Sequence, residues 1–361
     1  MTLAAWVHDL GPVAFSLGPL AIRWYGLSYV MGFVIGWLLL RELSRRGLVR
    51  IPMDRVGDAI MYFVIGILVG GRLGYVLVYE PSLLVAFDGG FPFWGVLKIN
   101  QGGMASHGGI VGVILASVVI SRGFKNERGE VVGRCEPEHV MDVIALLAPF
   151  GLGLGRLANF VNGELLGRVV VGPGEGRDAP WWSVRFPQEV FDEHTPELTS
   201  QQAFDLAVLA SRYALPGDEG FGAQYERMLS VLQAGGARGA EVARELAPFL
   251  AARHPSQLYQ AAAEGLVLGG VLWWVWRKPR RVGVVGCWFL ITYGVMRIVT
   301  EFWRLPDGHL AVQRVLGLSR GQWLSAVMVV VGAALMWHYA RREGERLGGW
   351  MEGWKARRRT A

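Results

Sequence analysis

The run Gly-Arg-Leu-Ala-Asn-Phe-Val-Asn-Gly-Glu-Leu-Leu-Gly, residues 155–167, sets a guanidinium beside two amides and a carboxylate. On a helix, Arg156 and Asn159 share a face, while Asn162 and Glu164 fall at or just beyond the helix end. A planar guanidinium binds phosphate through two parallel donors, and amides beside it can fix hydroxyls or complete the contacts to an oxyanion. A second reading stays open: a helix end whose arginine snorkels to a membrane interface while the asparagines cap backbone groups.

In Gln101-Gly-Gly-Met-Ala-Ser-His107-Gly-Gly, glycines flank a histidine and let backbone approach a ligand closely. An imidazole whose ordinary pKa is about 6.5 suits proton transfer near neutral pH, and a histidine bonded to a neighbouring carbonyl is the plainer alternative. Arg297, Glu301 and Arg304 lie on one helical stripe, fit either for a structural ion-pair network or for holding an anionic head group. Arg72, in Gly70-Gly-Arg-Leu-Gly-Tyr75, is open to ligand contact or to pairing with Glu301 or another carboxylate. His254-Pro-Ser-Gln-Leu-Tyr259 reads as architecture, with Pro255 at a helix start and Ser256 and Gln257 capping or bonding across helices. His8, His139, His194, His309 and His338 have no such company, and Cys135 and Cys287 lack disulfide or zinc spacing.

Side chains of this kind need a scaffold, and composition points to its class. Of 361 residues, 52% are hydrophobic and 18% charged, with a mean hydropathy of +0.32. An ordinary soluble domain carries about 25% charged residues. The 50 glycines and 15 tryptophans fit close helix packing and interfacial anchoring in a bilayer. The expected fold is an all-α polytopic membrane protein. Apolar stretches near the ~20 residues that cross a bilayer run over Arg23–Leu40, Val56–Val78, His107–Ile120, Val140–Phe160, Gln257–Trp276, Val282–Trp303 and Trp323–Tyr339, which makes seven spans. Arg72, Arg156, Arg297 and Glu301 fall inside them and His107 opens the third; such groups are costly in lipid and mark function by default.

Lys and Arg cluster after the first, third and fifth spans and in the C-terminal tail, through Lys355, Arg357, Arg358 and Arg359. The positive-inside rule then puts the N-terminus outside and the C-terminus in the cytoplasm. The same asymmetry explains the net charge of +6 by an anionic inner leaflet and leaves no call for nucleic acid. No basic flank precedes the early apolar run, so no removable signal peptide is expected. The organisation read from this pattern is spans one to four over 1–162, an extracytoplasmic cap over 163–254, spans five to seven over 255–340, and a basic tail over 341–361. Within the cap, helix-like stretches run over Gln201–Tyr213 and Gly239–Arg253.

Taken together, these runs resemble the prolipoprotein diacylglyceryl transferases of the bacterial inner membrane. The resemblance rests on Arg23-Trp-Tyr25-Gly, Gly71-Arg72-Leu-Gly-Tyr75, Gly102-Gly-Met-Ala-Ser-His107-Gly-Gly and Gly155 to Gly167. It is completed by His254-Pro-Ser-Gln-Leu-Tyr259 and Arg297-x-x-x-Glu301-x-x-Arg304-x-Pro306-Asp307, all in order along the chain. It implies transfer of the diacylglyceryl group of phosphatidylglycerol to the lipobox cysteine of a prolipoprotein signal peptide. The products would be a thioether and glycerol 1-phosphate, with no metal or organic cofactor. His107, Arg156 and Arg297 would be catalytic. Tyr25, Arg72, Asn159, Asn162, Glu164, Gly167, Glu301 and Arg304 would bind substrate.

Two features depart from the family pattern: Gln260 stands where a glutamate is usual after the His-Pro-Ser-Gln-Leu-Tyr run, and the cap is longer than expected over about 196–250. The competing readings are a transporter for an anionic solute, which would more often show inverted repeats, and a head-group phosphotransferase, which would need an acidic Mg²⁺ site.

Overall fold

A computed structural model describes residues 5–18, 20–99, 102–192, 195–305, 314–315 and 317–351. Gln101, His194, Pro306, Asp307, His309, Lys355, Arg357, Arg358 and Arg359 lie outside the described residues. The helices are α1 (Trp24–Arg45), α2 (Val56–Val78), α3 (Ser106–Ser121), α4 (Pro137–Asn162), α5 (Ser200–Ser211), α6 (Gly220–Ala234) and α7 (Gly236–Leu246). Then α8 (Ser256–Gln260) runs through a π-helical stretch, Ala261–Val267, into α9 (Leu268–Val275), followed by α10 (Val284–Thr300) and α11 (Arg320–Arg341).

Among the described residues, six helical stretches are long and apolar enough to cross a membrane: Trp24–Arg45, Met53–Val78, Pro137–Asn162, Ser256–Val275, Val284–Trp303 and Arg320–Arg341. The expected third span is α3, whose 16 residues extend about 24 Å at ~1.5 Å per residue, less than the ~30 Å hydrocarbon core. Leu324 and Val330 on α11 are each 68% exposed, whereas Arg72, Asp142, Glu264 and Glu301 are buried. Apolar surface outside and charge inside is the arrangement a lipid solvent favours.

The chain divides into two compact units. The first comprises Met1–Met31, Gly151–Leu268 and Tyr293–Val329. Its helices α5 to α7 close over a core of Leu206, Leu209, Tyr225, Met228, Leu232, Val242 and Leu246. A capping box starts α5, with Thr199 accepting from the Gln202 amide and Gln202 reaching back to the Thr199 N–H. The helix expected over Gly239–Arg253 ends at Leu246, because Pro248 interrupts it, and Ala252–Arg253 is a strand instead. That strand lies in a four-stranded sheet in the order Trp6–Val7, Val184–Arg185, Ala252–Arg253, Val169–Val171. The all-α reading therefore needs correction: small sheets accompany the helices, and strands of two to five residues are too short to show an alternating pattern.

The second unit comprises Gly32–Phe150, Gly269–Thr292 and Val330–Ala361. Here α2 and α3 pack glycine to glycine: a Cβ on Gly112 would lie 1.8 Å from the Gly66 carbonyl oxygen, and one on Gly108 2.2 Å from that of Gly70. Small residues one helical turn apart let two backbones meet this closely in a membrane. Buried Asp142 accepts from the Gly283 and Gly286 amides at 2.8 and 2.7 Å, placing a carboxylate at the positive end of α10. Strand Arg346–Gly348 pairs antiparallel with Pro279–Arg281, and the Trp350 indole donates to the Trp273 carbonyl at 2.9 Å.

Candidate active site

The first unit holds the densest set of candidate residues. Arg156 lies near the end of α4, and its guanidinium donates twice to Glu264 on the π-helical stretch, Nε to Oε2 at 2.9 Å and Nη2 to Oε1 at 3.2 Å. Glu264 is fully buried and Arg156 largely so. The approach is close because Gly153 faces Gly265, where a Cβ on Gly153 would lie 3.1 Å from the Gly265 Cα. The Tyr293 side chain on α10 is a further hydrogen-bond partner of Arg156 and lies within electrostatic reach of Arg297, one turn along its own helix. Tyr293 thereby interacts with both arginines.

Ion pairs draw the stripe on α10 and the turn after it together. Glu301 Oε2 lies 3.3 Å from Arg297 Nη1 and 3.6 Å from Arg304 Nη1, and its other oxygen accepts from Ser319 Oγ at 3.0 Å. Glu301 and Arg304 are buried, and Arg297 is mostly so.

The signature run folds as its spacing predicts. Asn159 is buried on α4, Asn162 ends the helix, and Glu164 follows it. Both asparagine amides donate to the Glu164 carboxylate at 3.1 Å. Gly167 is bridged to Arg304 and meets the chain so tightly that a Cβ would lie 2.1 Å from the His254 carbonyl oxygen. Tyr25 opens α1 with its hydroxyl 3.2 Å from that of Tyr29, and it feels the charges of Glu164 and Arg156. Tyr25, Arg156, Asn159 and Glu164 thus form one neighbourhood within the first unit. Arg168, Glu301, Phe302, Arg304, Gly317, Ser319 and Gln322 line a small polar cavity of about 30 Å³ there.

Arg72 and His107 belong to the second unit. Arg72 is buried and donates to the carbonyls of Val96, Gly95 and Gly102 at 2.7 Å and of Gly103 at 3.0 Å. Its partners are backbone oxygens of the 95–103 loop, and the carboxylate pairing open to it in the sequence is not the one it makes. His107 is the second residue of α3, exposed, with its ring centroid 5.7 Å from that of Tyr79.

Sequence reasoning missed Glu264 and Tyr293. Glu264 is an ionisable group inside the fifth expected span, and the rule that picked out Arg72 and Arg156 also applies to it. Tyr293 precedes Arg297 by one helical turn and so extends the Arg297, Glu301, Arg304 stripe.

The helices and this cluster define a class: a polytopic membrane protein with two arginines held among buried carboxylates and a tyrosine. The chain belongs to the prolipoprotein diacylglyceryl transferase family, whose sequence profile matches residues 12–338. It is 38% identical to a phosphatidylglycerol–prolipoprotein diacylglyceryl transferase of Bdellovibrio bacteriovorus, over 96% of this chain and 97% of that one. Proteins of the same name from Burkholderia multivorans and Neisseria gonorrhoeae are 38% and 35% identical, over 92% and 90% of this chain and 96% and 94% of theirs. The comparisons give the transporter alternative no support.

Proposed function

We propose that this chain transfers the diacylglyceryl group of phosphatidylglycerol to the lipobox cysteine of a prolipoprotein. The cysteine sulfur, as thiolate, attacks the glycerol carbon that carries the phosphate ester. A carbon–sulfur bond forms as the carbon–oxygen bond breaks, and the electron pair leaves with the phosphate as glycerol 1-phosphate. The phosphodiester carries one negative charge and the departing monoester gains a second. Cations beside it therefore bind the transition state better than the ground state. Arg156 and Arg297 supply that charge, and the observation carrying this reading is their fixing by Glu264, Glu301 and Tyr293 in a buried setting.

Glu264 lowers the net charge of Arg156 but fixes its guanidinium plane through two hydrogen bonds, so little reorganisation is needed there as charge develops, while Glu301 pairs with Arg297 by charge. Asn159, Asn162 and Glu164, with Tyr25, would orient the glycerol head group; Arg304 would hold Glu301, and Arg72 the 95–103 loop. His107 takes the thiol proton, directly or through water. Gly167 lets the signature loop pass close to His254.

The same reading places the protein in the bacterial inner membrane with seven spans, α3 being the third, and the N-terminus extracytoplasmic and the C-terminus cytoplasmic. Residues 163–254 would form the extracytoplasmic cap, meeting the signal peptide. Support comes from the Lys and Arg bias of alternate loops. Incubating the purified protein with phosphatidylglycerol and a synthetic lipobox peptide tests the function. A gain of one diacylglyceryl mass on the cysteine is expected, and an unchanged peptide from folded protein would refute the proposal.

A further inference from the structure

The segment from Glu164 to Arg168 leaves α4 as irregular backbone, and every carbonyl in it is taken by a donor from elsewhere in the first unit. Gln257 Nε2 donates to Glu164 O at 2.5 Å and Ser256 Oγ to Leu165 O at 3.0 Å. The Leu305 amide donates to Leu166 O at 3.2 Å. Arg253 Nη1 donates to Gly167 O at 3.1 Å, and the His254 amide to Arg168 O at 3.0 Å. All but one of these donors come from the run Arg253–Gln257, which lies against the loop in the opposite direction. Arg253, Ser256 and Gln257 are each 1% exposed or less. Arg253 is itself held by Glu189, which also accepts from the Ala251 amide at 2.6 Å.

One residue of the loop sits where its type is unfavourable. Leu165 has φ +57, the left-handed region that a residue with a Cβ seldom enters unless its surroundings require it. Its carbonyl is the one Ser256 holds, and its neighbour Glu164 accepts the Asn159 and Asn162 amides. The peptide that joins Glu164 to Leu165 is held in turn by Gln257, through the Glu164 carbonyl.

We propose that Ser256 and Gln257, with Arg253 behind them, are positioning residues: they hold Leu165 in the left-handed conformation and thereby aim the Glu164 carboxylate at the head-group site. This rests on the transferase reading above. Neither side chain touches substrate in this account, and each acts through the Glu164 and Leu165 carbonyls. Buried carbonyls at a membrane boundary would need partners under any function, so saturation alone does not distinguish scaffolding from positioning. The left-handed leucine does, because its cost is conformational and is removed by glycine.

The test measures turnover per folded molecule, KM for phosphatidylglycerol and Tm for wild type, Ser256→Ala, Ser256→Thr, Leu165→Gly and the double variant Ser256→Ala with Leu165→Gly. Ser256→Ala should lower kcat about tenfold to a hundredfold, the scale of a misplaced reacting group, with KM changed much less. Ser256→Thr, which keeps the hydroxyl, should recover most of the loss. In the Leu165→Gly background the same Ser256→Ala change should cost at least threefold less. Gln257→Asn, whose shorter amide falls back from Glu164 O, should follow Ser256→Ala if the latter does not fold. Unchanged turnover per folded molecule in these variants, or equal Ser256→Ala losses in both Leu165 backgrounds, would overturn the positioning role while wild type stays active. A wild type that transfers nothing overturns the transferase reading, and this proposal with it.

Discussion

Arg156 and Glu264 face each other fork to fork, with Nε–Oε2 and Nη2–Oε1 distances of 2.9 and 3.2 Å and the carboxylate wholly out of contact with solvent. A buried pair of this kind is costly to assemble and costlier to break. Glu264→Ala should therefore destabilise the protein by about 3–5 kcal/mol, since it leaves a buried guanidinium unmatched. Glu264→Gln keeps the shape but removes the charge, and should lower kcat more than it raises KM. Thermal unfolding and steady-state kinetics on both variants check this, and a Gln variant with wild-type kcat would remove Glu264 from the mechanism.

Arg156→Ala and Arg297→Ala should each abolish transfer while the protein still inserts in membranes. Arg156→Lys should recover little, because an ammonium cannot reproduce the two parallel donors given to Glu264. Normal turnover in either alanine variant would overturn the phosphate role.

His107→Gln should suppress turnover while phosphatidylglycerol binding is kept, since the proposed role is to accept a proton. Loss of lipid binding with normal chemistry at saturating lipid would reassign the residue.

His8 carries a pH dependence that concerns stability. Its ring is fully buried, with centroids 5.3, 5.4 and 5.2 Å from those of Trp6, Phe160 and Phe186. Burial among these rings pulls its pKa down from 6.5 to about 4. The unfolded chain then takes up a proton near pH 6.5 that the folded chain refuses until about pH 4. The His8 contribution is complete above pH 6.5, falls as pH drops through that window, and is lost below it, by about 3 kcal/mol in all. His8→Phe should flatten the fall of Tm between those values. Parallel Tm profiles for the two proteins would contradict the assignment.

Gly167→Ala should cost both stability and activity, because the new methyl would lie 2.1 Å from a backbone oxygen of His254. The expected loss is about 1–3 kcal/mol, as for an overpacked site, with turnover falling further than Tm alone explains. An alanine variant of wild-type stability and rate would show that the loop can move aside.

What could be read in the residues was whatever repeats with the helical period. Arg297, Glu301 and Arg304 fall on one stripe by spacing, and the structure ties them into one network. Asn159, Asn162 and Glu164 likewise come together because the helix ends where the run turns polar. Arg72 was harder, because its partners are carbonyls of an irregular loop and carbonyl directions leave no mark in the side-chain pattern. Glu264 stands in a π-helical stretch, where the usual three- and four-residue neighbours no longer apply. The strand at Ala252–Arg253 has only two residues, too few for a period, and yet Arg253 is one of the residues that hold the signature loop.

The proposed reaction cleaves the carbon–oxygen bond on the diacylglyceryl side of the phosphate, with the arginines stabilising the departing glycerol phosphate. The most direct measurement follows peptide mass and released glycerol phosphate in one reaction of purified protein, phosphatidylglycerol and lipobox peptide. One diacylglyceryl gained on the cysteine is expected for each glycerol phosphate released. A peptide that gains mass but retains phosphorus, or glycerol phosphate released without lipidated peptide, would contradict it.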